Sequence, residues 1–180
     1  MKKYAIEEKI QGFEVRGVRK QLKLTQAEFA RLANVSVKTV ERWESSDNFI
    51  TGPVVTLVKI LKMNPSMEEK LEIPEKQYPL RLFYMHYQEV CTVIDVNERK
   101  RAVKIYNYTN DYLMRAFGKN ENPSFEEYEE FLESRCFPRS RDKMKLFLKE
   151  LDLPFYDPFL IMEKTQGRMA EDHFWIQIER

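Results

Sequence analysis

Three arginines stand close together in the second half of the chain, and their spacing suits the binding of an anion. Arg135, Arg139 and Arg141 flank Ser140, a residue type that often begins a helix. Helix N-termini and guanidinium forks both favour phosphate or carboxylate groups, so we interpret the cluster as a candidate anion-binding site. The alternative, which short motifs of this kind favour, is that the arginines pair with neighbouring glutamates.

Residue types that perform catalysis or bind metals are sparse. The chain has only five glycines and no phosphate-binding glycine loop. His86 and His173 are far apart in sequence, and neither has the Cys/His spacing of a zinc site. Cys91 and Cys136 are too few for a disulfide framework and suit a reducing compartment. We therefore expect no enzyme activity, no cofactor and no metal.

Helix signals in the N-terminal part of the chain position a second group of polar residues. Thr25, with Glu28 three residues later, forms a capping box for a helix over residues 26–33. Ser36 begins the next helix, in which Val40 and Trp43 can face inward. Further helices are predicted before residue 23 and from residue 53, where a proline occupies the first position. The outer face of the helix after Ser36 carries Val37, Lys38, Thr39 and Arg42.

This pattern resembles the helix-turn-helix of the phage-repressor (Cro/C1, XRE) family. The residues that carry the resemblance are Thr25-Gln26-x-x-Phe29-Ala30-x-x-x-x-Val35-Ser36-x-x-Thr39-Val40-x-Arg42-Trp43-Glu44. The Gly52-Pro53 start of the last helix is similar to the DNA-binding half of certain type II antitoxins. The resemblance covers residues 14–64, and the loop over residues 45–50 departs from it because it lacks the family's usual glycine turn.

The resemblance implies roles in DNA binding for individual residues. Gln26, at the N-terminus of its helix, and Thr39 would contact phosphates. Arg42 is the candidate for a bidentate contact to guanine because its rigid fork matches two acceptors, and Val37 could contact a thymine methyl group. Ser36 and Lys38 would lie beside them where the recognition helix meets base edges in the major groove. The predicted DNA-binding residues are Thr25, Gln26, Ser36, Val37, Lys38, Thr39 and Arg42.

Charge and proline content divide the chain into two domains. The formal net charge is only +1, with 30 Lys and Arg against 29 Asp and Glu. Residues 1–63 carry twelve basic and seven acidic residues, a balance of +5, whereas residues 64–180 carry eighteen and twenty-two, a balance of −4. Three prolines within residues 64–79 indicate a linker. We predict a helix-turn-helix domain over 1–63, a linker over 64–79 and an interaction or dimerisation domain over 80–180.

The second domain has the sequence pattern of an α+β fold. Residues 80–108 indicate a three-stranded antiparallel sheet, and residues 173–178 a last strand able to join it. Helices are predicted around 110–117, from Ser124 to about Ser134, after Ser140 and from Asp157. Residues 131–175 also resemble a short accessory segment of some HipA-like kinase toxins, without any kinase motif. The predicted fold class is multidomain, an all-α helix-turn-helix domain followed by an α+β domain with a small antiparallel sheet.

Two function classes follow from this organisation. The first is a sequence-specific DNA-binding transcription regulator, an autorepressor acting as a homodimer on a palindromic operator, since one recognition helix covers too few base pairs. Its C-terminal domain would dimerise it or bind a protein or ligand. The alternative is a bifunctional interaction protein, an antitoxin or a mobile-element inhibitor such as an anti-CRISPR protein, whose helix-turn-helix autoregulates. With no long apolar run and no signal peptide, we expect a cytoplasmic protein that does not enter the membrane.

Overall fold

The computed structural model describes residues 2–137 and 143–180 of the chain. The chain folds as two compact units, Met1–Glu72 (the N-terminal unit) and Ile73–Arg180 (the C-terminal unit). The division falls inside the segment predicted as a linker. A short helix occupies part of that segment, and Met67 packs against the N-terminal core, whereas the Gln77 backbone N–H donates to Asp95 of the C-terminal unit. The finer division at residues 63 and 79 stays a prediction.

The N-terminal unit is helical, as predicted, with one small addition. Its core is built from the apolar faces of four helices, with Val15, Phe29 and Val40 completely buried. Burial of each such side chain stabilises the fold by about 1.5–3 kcal/mol. The elements in chain order are β1 (Lys9–Ile10), α1 (Gly12–Gln21), α2 (Gln26–Leu32), α3 (Val37–Ser45), β2 (Ile50–Thr51), α4 (Pro53–Met63) and α5 (Met67–Leu71).

The addition is a two-stranded antiparallel ribbon that the sequence did not indicate. Ile10 of β1 is paired with Ile50 of β2, and both side chains are buried in the core. The ribbon fixes the loop over residues 45–50, for which the family pattern gave no geometry. Gly52 follows with a φ of 92° and leads into Pro53 at the start of α4.

The C-terminal unit contains a four-stranded antiparallel sheet with helices packed on one face. The strand order is β5-β4-β3-β6, so the last strand lies beside the first, and the predicted sheet is confirmed. Leu82, Ile94 and Ile176 lie in one core with Phe131 of α6 and Ile161 of α8. The elements are β3 (Leu80–His86), β4 (Glu89–Asn97), β5 (Ala102–Asn107), α6 (Phe125–Ser134), α7 (Met144–Glu150), α8 (Pro158–Thr165) and β6 (Phe174–Glu179).

The predicted helix around residues 110–117 is wrong. The structure has a single 3₁₀ turn at Tyr112–Met114 followed by hydrogen-bonded turns. Asp111 caps that turn and Leu113 is 90% exposed, so the segment lacks the buried apolar stripe that stabilises a helix. The helices at Ser124 and Asp157 begin where predicted, each with a side-chain cap. The predicted cap Ser140 lies outside the described residues, and α7 begins after Lys143 instead.

The outer face of the sheet contains a buried ion pair. The Arg81 guanidinium donates to both oxygens of Asp95, at 2.6 and 2.9 Å, and to the Pro74 carbonyl oxygen at 2.8 Å. Both side chains are at most 5% exposed. Because Gln77 also donates to Asp95, this pair fastens residues 74–77 to the sheet.

Candidate nucleic-acid interface

Three backbone features build the turn between α2 and α3. Thr25 forms the predicted capping box with Glu28: its hydroxyl accepts from the Glu28 N–H, and the Glu28 carboxylate accepts from the Thr25 N–H. Asn34 has a φ of 52°, the left-handed conformation that asparagine tolerates. The Ser36 hydroxyl then accepts from the Thr39 N–H at 3.1 Å and begins α3. These local signals fix where α3 starts and which face it turns inward.

The outer face of α3 carries the cations predicted for DNA contact. Lys38 and Arg42 are exposed and one helical turn apart, so they lie on the same face. Within residues 2–137 and 143–180, neither side chain has an ion pair. Val37 is 41% exposed beside them. The face therefore presents two uncompensated positive charges and an aliphatic group to solvent.

Ser36 and Thr39 lie at the N-terminal end of this face. Their hydroxyl oxygens are 2.9 Å apart, and either group can be the donor. Ser36 is exposed, whereas Thr39 is half-buried. The Ser36 oxygen also accepts the Thr39 N–H, so both side chains are held against the first turn of α3 by their mutual contacts.

The inner side of α3 is anchored by a buried carboxylate, Glu44. The Arg19 guanidinium donates to Glu44 Oε1 at 2.6 Å and to Oε2 at 2.8 Å, and it also donates to the Leu24 carbonyl oxygen. Arg16 donates to the Glu44 backbone oxygen. The Glu44 side chain is 3% exposed, and its hydrogen bond with Arg19 holds the pKa of that carboxyl below its ordinary value of 4.5. This pair joins α1 to α3.

Gln26, predicted to contact a phosphate, is also part of this network. Its side-chain nitrogen donates to Glu44 Oε2 at 3.0 Å, and the side chain is partly exposed at the first turn of α2. A primary amide has two N–H donors. The contact to Glu44 uses one donor, so the second stays available for a phosphate oxygen.

A glycine brings α1 against α3 at closer range than any other residue allows. A Cβ atom at Gly12 would lie 2.2 Å from the Trp43 carbonyl oxygen. The Cβ atom would be fixed by the backbone of residue 12, and the carbonyl oxygen belongs to the backbone of Trp43. Neither atom could move away without a shift of a helix. Gly12 and the Arg19–Glu44 pair therefore both hold α1 against the C-terminal part of α3.

The sequence interpretation missed Arg16, Arg19, Glu44 and Gly12. Arg19 lies four residues after the buried Val15, and Glu44 four residues after the buried Val40, so their positions toward the core could have been read from helical periodicity. Their pairing could not be read in that way, because 25 positions separate the two residues. Arg16, whose side chain is 48% exposed, is an additional cation beside α3.

The structure gives Arg135, one of the predicted anion-binding residues, a different role. Its guanidinium donates to both oxygens of Asp172, at 2.6 and 3.1 Å, and to the carbonyl oxygens of Gly167 and Phe174. The residue is 7% exposed. Arg135 thus has internal partners at the end of α6, and Asp172 is its counterion rather than a neighbouring glutamate. Arg139 and Arg141 lie outside the described residues, and their role in anion binding stays a prediction.

Metal-binding side chains do not cluster in the described part of the chain. Across residues 2–137 and 143–180, no three His, Cys, Asp or Glu side chains are grouped as a metal site would require. Cys91 and Cys136 are buried thiols, and burial raises the pKa of Cys136 to about 12, which keeps it protonated. No described helix has the length and apolarity needed to cross a membrane.

Comparisons with known proteins agree with the geometry of the N-terminal unit. A helix-turn-helix family model matches residues 15–55, which span most of α1 and all of α2 and α3. The chain is also similar to the antitoxin HigA-2 of Vibrio cholerae, with 35% identity over 52 residues. That match covers 29% of this chain and 50% of the antitoxin, so the chain spans about half the length of this relative. Residues 15–55 are an XRE-type helix-turn-helix, the fold of DNA-binding transcription regulators.

Proposed function

We propose that this protein is a sequence-specific DNA-binding regulator that represses its own operon as a dimer on a two-fold symmetric operator. The observation that carries the proposal is the outer face of α3, on which Lys38 and Arg42 are exposed and have no ion pair among the described residues. Exposed cations on the second helix of a helix-turn-helix lie where the major groove of DNA is contacted.

The arrangement supports a division of labour between the polar residues. Arg42 can donate two parallel hydrogen bonds to guanine O6 and N7, a pattern that each base pair presents differently in the major groove. Lys38 and the free N–H of Gln26 suit phosphate or base acceptors, and Val37 suits a thymine methyl group. The buried Arg19–Glu44 pair fixes the orientation of α3 and needs no rearrangement for docking.

Dimerisation follows from the size of the interface. A single recognition helix reads only a few base pairs, which is too little discrimination for specific binding among many competing sites. Two copies related by a two-fold axis would read two half-sites about one helical turn apart. A selected binding site with inverted half-sites, together with a dimer in analytical ultracentrifugation on that DNA, is the expected result.

The test is a binding-site selection with the full chain and three variants. Arg42→Ala should lose its preference at one base pair of each half-site, a loss of about 1–3 kcal/mol of discrimination. Arg42→Lys keeps the charge but not the fork, so it should lose the same preference while retaining more affinity. Arg31→Ala removes an exposed arginine from α2 and serves as the charge control. An Arg42→Ala motif identical to that of the wild type would contradict the assigned role.

A second candidate function is that of an antitoxin-type interaction protein, and the similarity to HigA-2 supports it. In this version residues 80–180 bind and neutralise a partner protein, and the helix-turn-helix regulates expression of the pair. The two candidate functions use the same DNA-binding surface, and they differ in what the C-terminal unit binds. Isolation of the full chain from its host distinguishes them. A stoichiometric protein partner favours neutralisation, whereas a small molecule that alters DNA affinity favours a ligand-controlled regulator.

A further inference from the structure

Two buried side-chain polar atoms of the C-terminal unit have no hydrogen-bond partner among the described residues, one Arg115 nitrogen and the Tyr128 hydroxyl oxygen. Tyr128, on α6, is 2% exposed, and among the described residues its hydroxyl makes no hydrogen bond. Burial raises the pKa of Tyr128 above its ordinary value of 10.0, so the hydroxyl stays neutral and keeps both a donor and acceptor sites. A buried hydroxyl without a partner destabilises the free protein, which makes it a good position for a ligand contact.

Tyr128 is one of the residues that line an open groove with a volume of about 610 Å³. The groove lies between α6, the start of α8 and the turn that connects β4 to β5. Four of its lining residues are acidic and one is basic. The acidic residues are Glu98, Glu129, Glu133 and Asp157, and the basic residue is Arg101.

Two of these carboxylates are available for a partner. Glu98 and Glu133 are exposed, and neither carboxylate has an ion pair within residues 2–137 and 143–180. Arg101 does not neutralise them, because its guanidinium donates to Glu126 and Glu129. Asp157 accepts the Leu160 N–H with one oxygen as the cap of α8. The groove therefore combines a net negative charge with an unsatisfied buried hydroxyl.

The negative charge is local. Glu98 and Phe159 also border a neighbouring groove of about 760 Å³, whose lining includes Arg99, Lys100 and Arg180. The groove beside Tyr128 is therefore negatively charged, whereas the groove on the other side of Glu98 is positively charged. A segment that places a cation beside Tyr128 would bind better if it also placed an acidic residue in the neighbouring groove. The two grooves therefore favour one orientation of the bound segment.

We propose that this groove binds a basic segment of a partner protein, with one cationic side chain donating a hydrogen bond to the Tyr128 hydroxyl and pairing with Glu98 and Glu133. The inference rests on the proposed function in which the C-terminal unit binds a protein. Charge complementarity selects the occupant: nucleic acid and acidic peptides are repelled by the four carboxylates, whereas a buried charge-assisted hydrogen bond rewards a cation. The half-buried ring of Phe159 offers an apolar wall for the stem of that side chain.

The test measures binding of a fluorescent arginine-rich peptide to the full chain by anisotropy, beside its glutamine-substituted counterpart. The wild type should bind the arginine peptide and not the glutamine peptide. Tyr128→Phe should weaken binding about tenfold or more, the effect of one lost hydrogen bond to a charged group. The same variant should unfold at an unchanged or higher temperature, because it removes a hydroxyl that has no partner in the free protein.

A charge-matched pair of double variants separates the groove from general surface attraction. Glu98→Gln with Glu133→Gln should weaken binding at least as much as Tyr128→Phe. Glu89→Gln with Glu130→Gln removes the same charge at exposed positions outside the groove and should bind as the wild type does. Equal losses in the two double variants, or undiminished binding by Tyr128→Phe, would overturn the proposal. So would spermidine binding with the same dependence on Tyr128, because the occupant would then be a small polycation.

DNA binding is measured in parallel by gel shift on the selected site. All groove variants should shift DNA as the wild type does, since none alters the N-terminal unit. A wild type that binds the arginine peptide but no DNA would refute the proposed regulator and leave the groove assignment standing. A wild type that binds DNA but no arginine peptide would refute the groove assignment alone.

Discussion

Helices α3 and α6 are built alike and charged oppositely. Each begins with a serine cap, and each buries an apolar face. The outer face of α3 carries Lys38 and Arg42 and its inner anchor is the carboxylate of Glu44, whereas α6 has an acidic outer face and ends at the buried guanidinium of Arg135. In both helices the anchor has the opposite sign to the outer face.

The two helices also differ in how many of the charged side chains on their outer faces form ion pairs within the protein. Arg101 contacts Glu126 and Glu129, so part of the acidic face of α6 is compensated within its own unit. The cations of α3 have no such partner in the described part of the chain. The sign of the charge on a helix can be read from sequence, but whether that charge is free to bind a partner depends on which side chains the fold brings next to it.

Removal of Glu44, the anchor of α3, should have the largest effect on stability. Glu44→Ala leaves Arg19 as a mostly buried cation without its counterion, which should cost the N-terminal unit about 3–5 kcal/mol of unfolding free energy. Chemical denaturation followed by the Trp43 fluorescence of a Trp175→Phe background reports on this unit alone, since the chain has two tryptophans. The control Glu41→Ala, at an exposed position on α3, should change stability by no more than about 0.5 kcal/mol.

Acid should remove the same anchor reversibly. The hydrogen bond with Arg19 lowers the pKa of Glu44, so its contribution is complete above the ordinary value of 4.5 and is lost as pH falls through the lower folded-state pKa. Glu44→Gln lacks this titration. The difference in Tm between wild type and Glu44→Gln should therefore be constant above pH 4.5 and shrink below it. A difference that grows on acidification would contradict the assigned pair.

The anchor of α6 should be easier to remove. Asp172→Ala deprives Arg135 of a carboxylate that is 31% exposed, but the guanidinium keeps the carbonyl oxygens of Gly167 and Phe174. We expect a loss of about 1–3 kcal/mol in the C-terminal unit, followed by Trp175 fluorescence in a Trp43→Phe background. A loss larger than that of Glu44→Ala would contradict this expectation, because it would mean that the carbonyl oxygens do not compensate Arg135 for the missing carboxylate.

The two serine caps should be equivalent. Ser36→Ala and Ser124→Ala each remove an oxygen that accepts a backbone N–H at 3.1 and 3.2 Å, respectively. Each should cost about 1 kcal/mol, in its own unit only. Ser36→Ala should also weaken DNA binding, whereas Ser124→Ala should leave it unchanged. Gel-shift titrations beside the denaturation curves distinguish these outcomes.

The smallest expected effect concerns the compensated charges of α6. Arg101→Ala removes a guanidinium whose side chain is 52% exposed and pairs with exposed carboxylates, so only a small change in Tm is expected. The variant should instead strengthen arginine-peptide binding, because it releases Glu129 in the groove. Weaker peptide binding would show that Arg101 supports the site rather than competing for it.

Local signals in the sequence predicted most of the fold. Thr25, Ser36, Ser124 and Asp157 each begin a helix because a short side chain satisfies an N–H within three residues, and such a signal needs no knowledge of the fold. The strands of the C-terminal sheet were predicted from local signals as well, the β-forming composition of residues 80–96 and the period-two alternation of residues 102–108. The helix expected near residue 112 failed because polar and apolar positions there have no consistent inner face.

What sequence could not supply were contacts between distant residues. The pairs Arg19–Glu44, Arg81–Asp95 and Arg135–Asp172 join different elements, and an isolated charged residue looks the same whether it is buried or exposed. The β1–β2 ribbon has two residues in each strand, too few for a periodic pattern. The available face of α3 was predictable from helical geometry, whereas the Tyr128 groove depends on three elements meeting.

The position of β6 beside β3 determines the order in which the two units can fold during translation. The N-terminal unit ends at residue 72, but Arg81 of β3 can pair with Glu179 of β6 only after the intervening residues 82–178 have been translated. At ordinary elongation speeds that interval lasts about 5–20 s. During this time the N-terminal unit can fold while one edge of β3 is still unpaired and accessible to chaperones or to a neighbouring nascent copy.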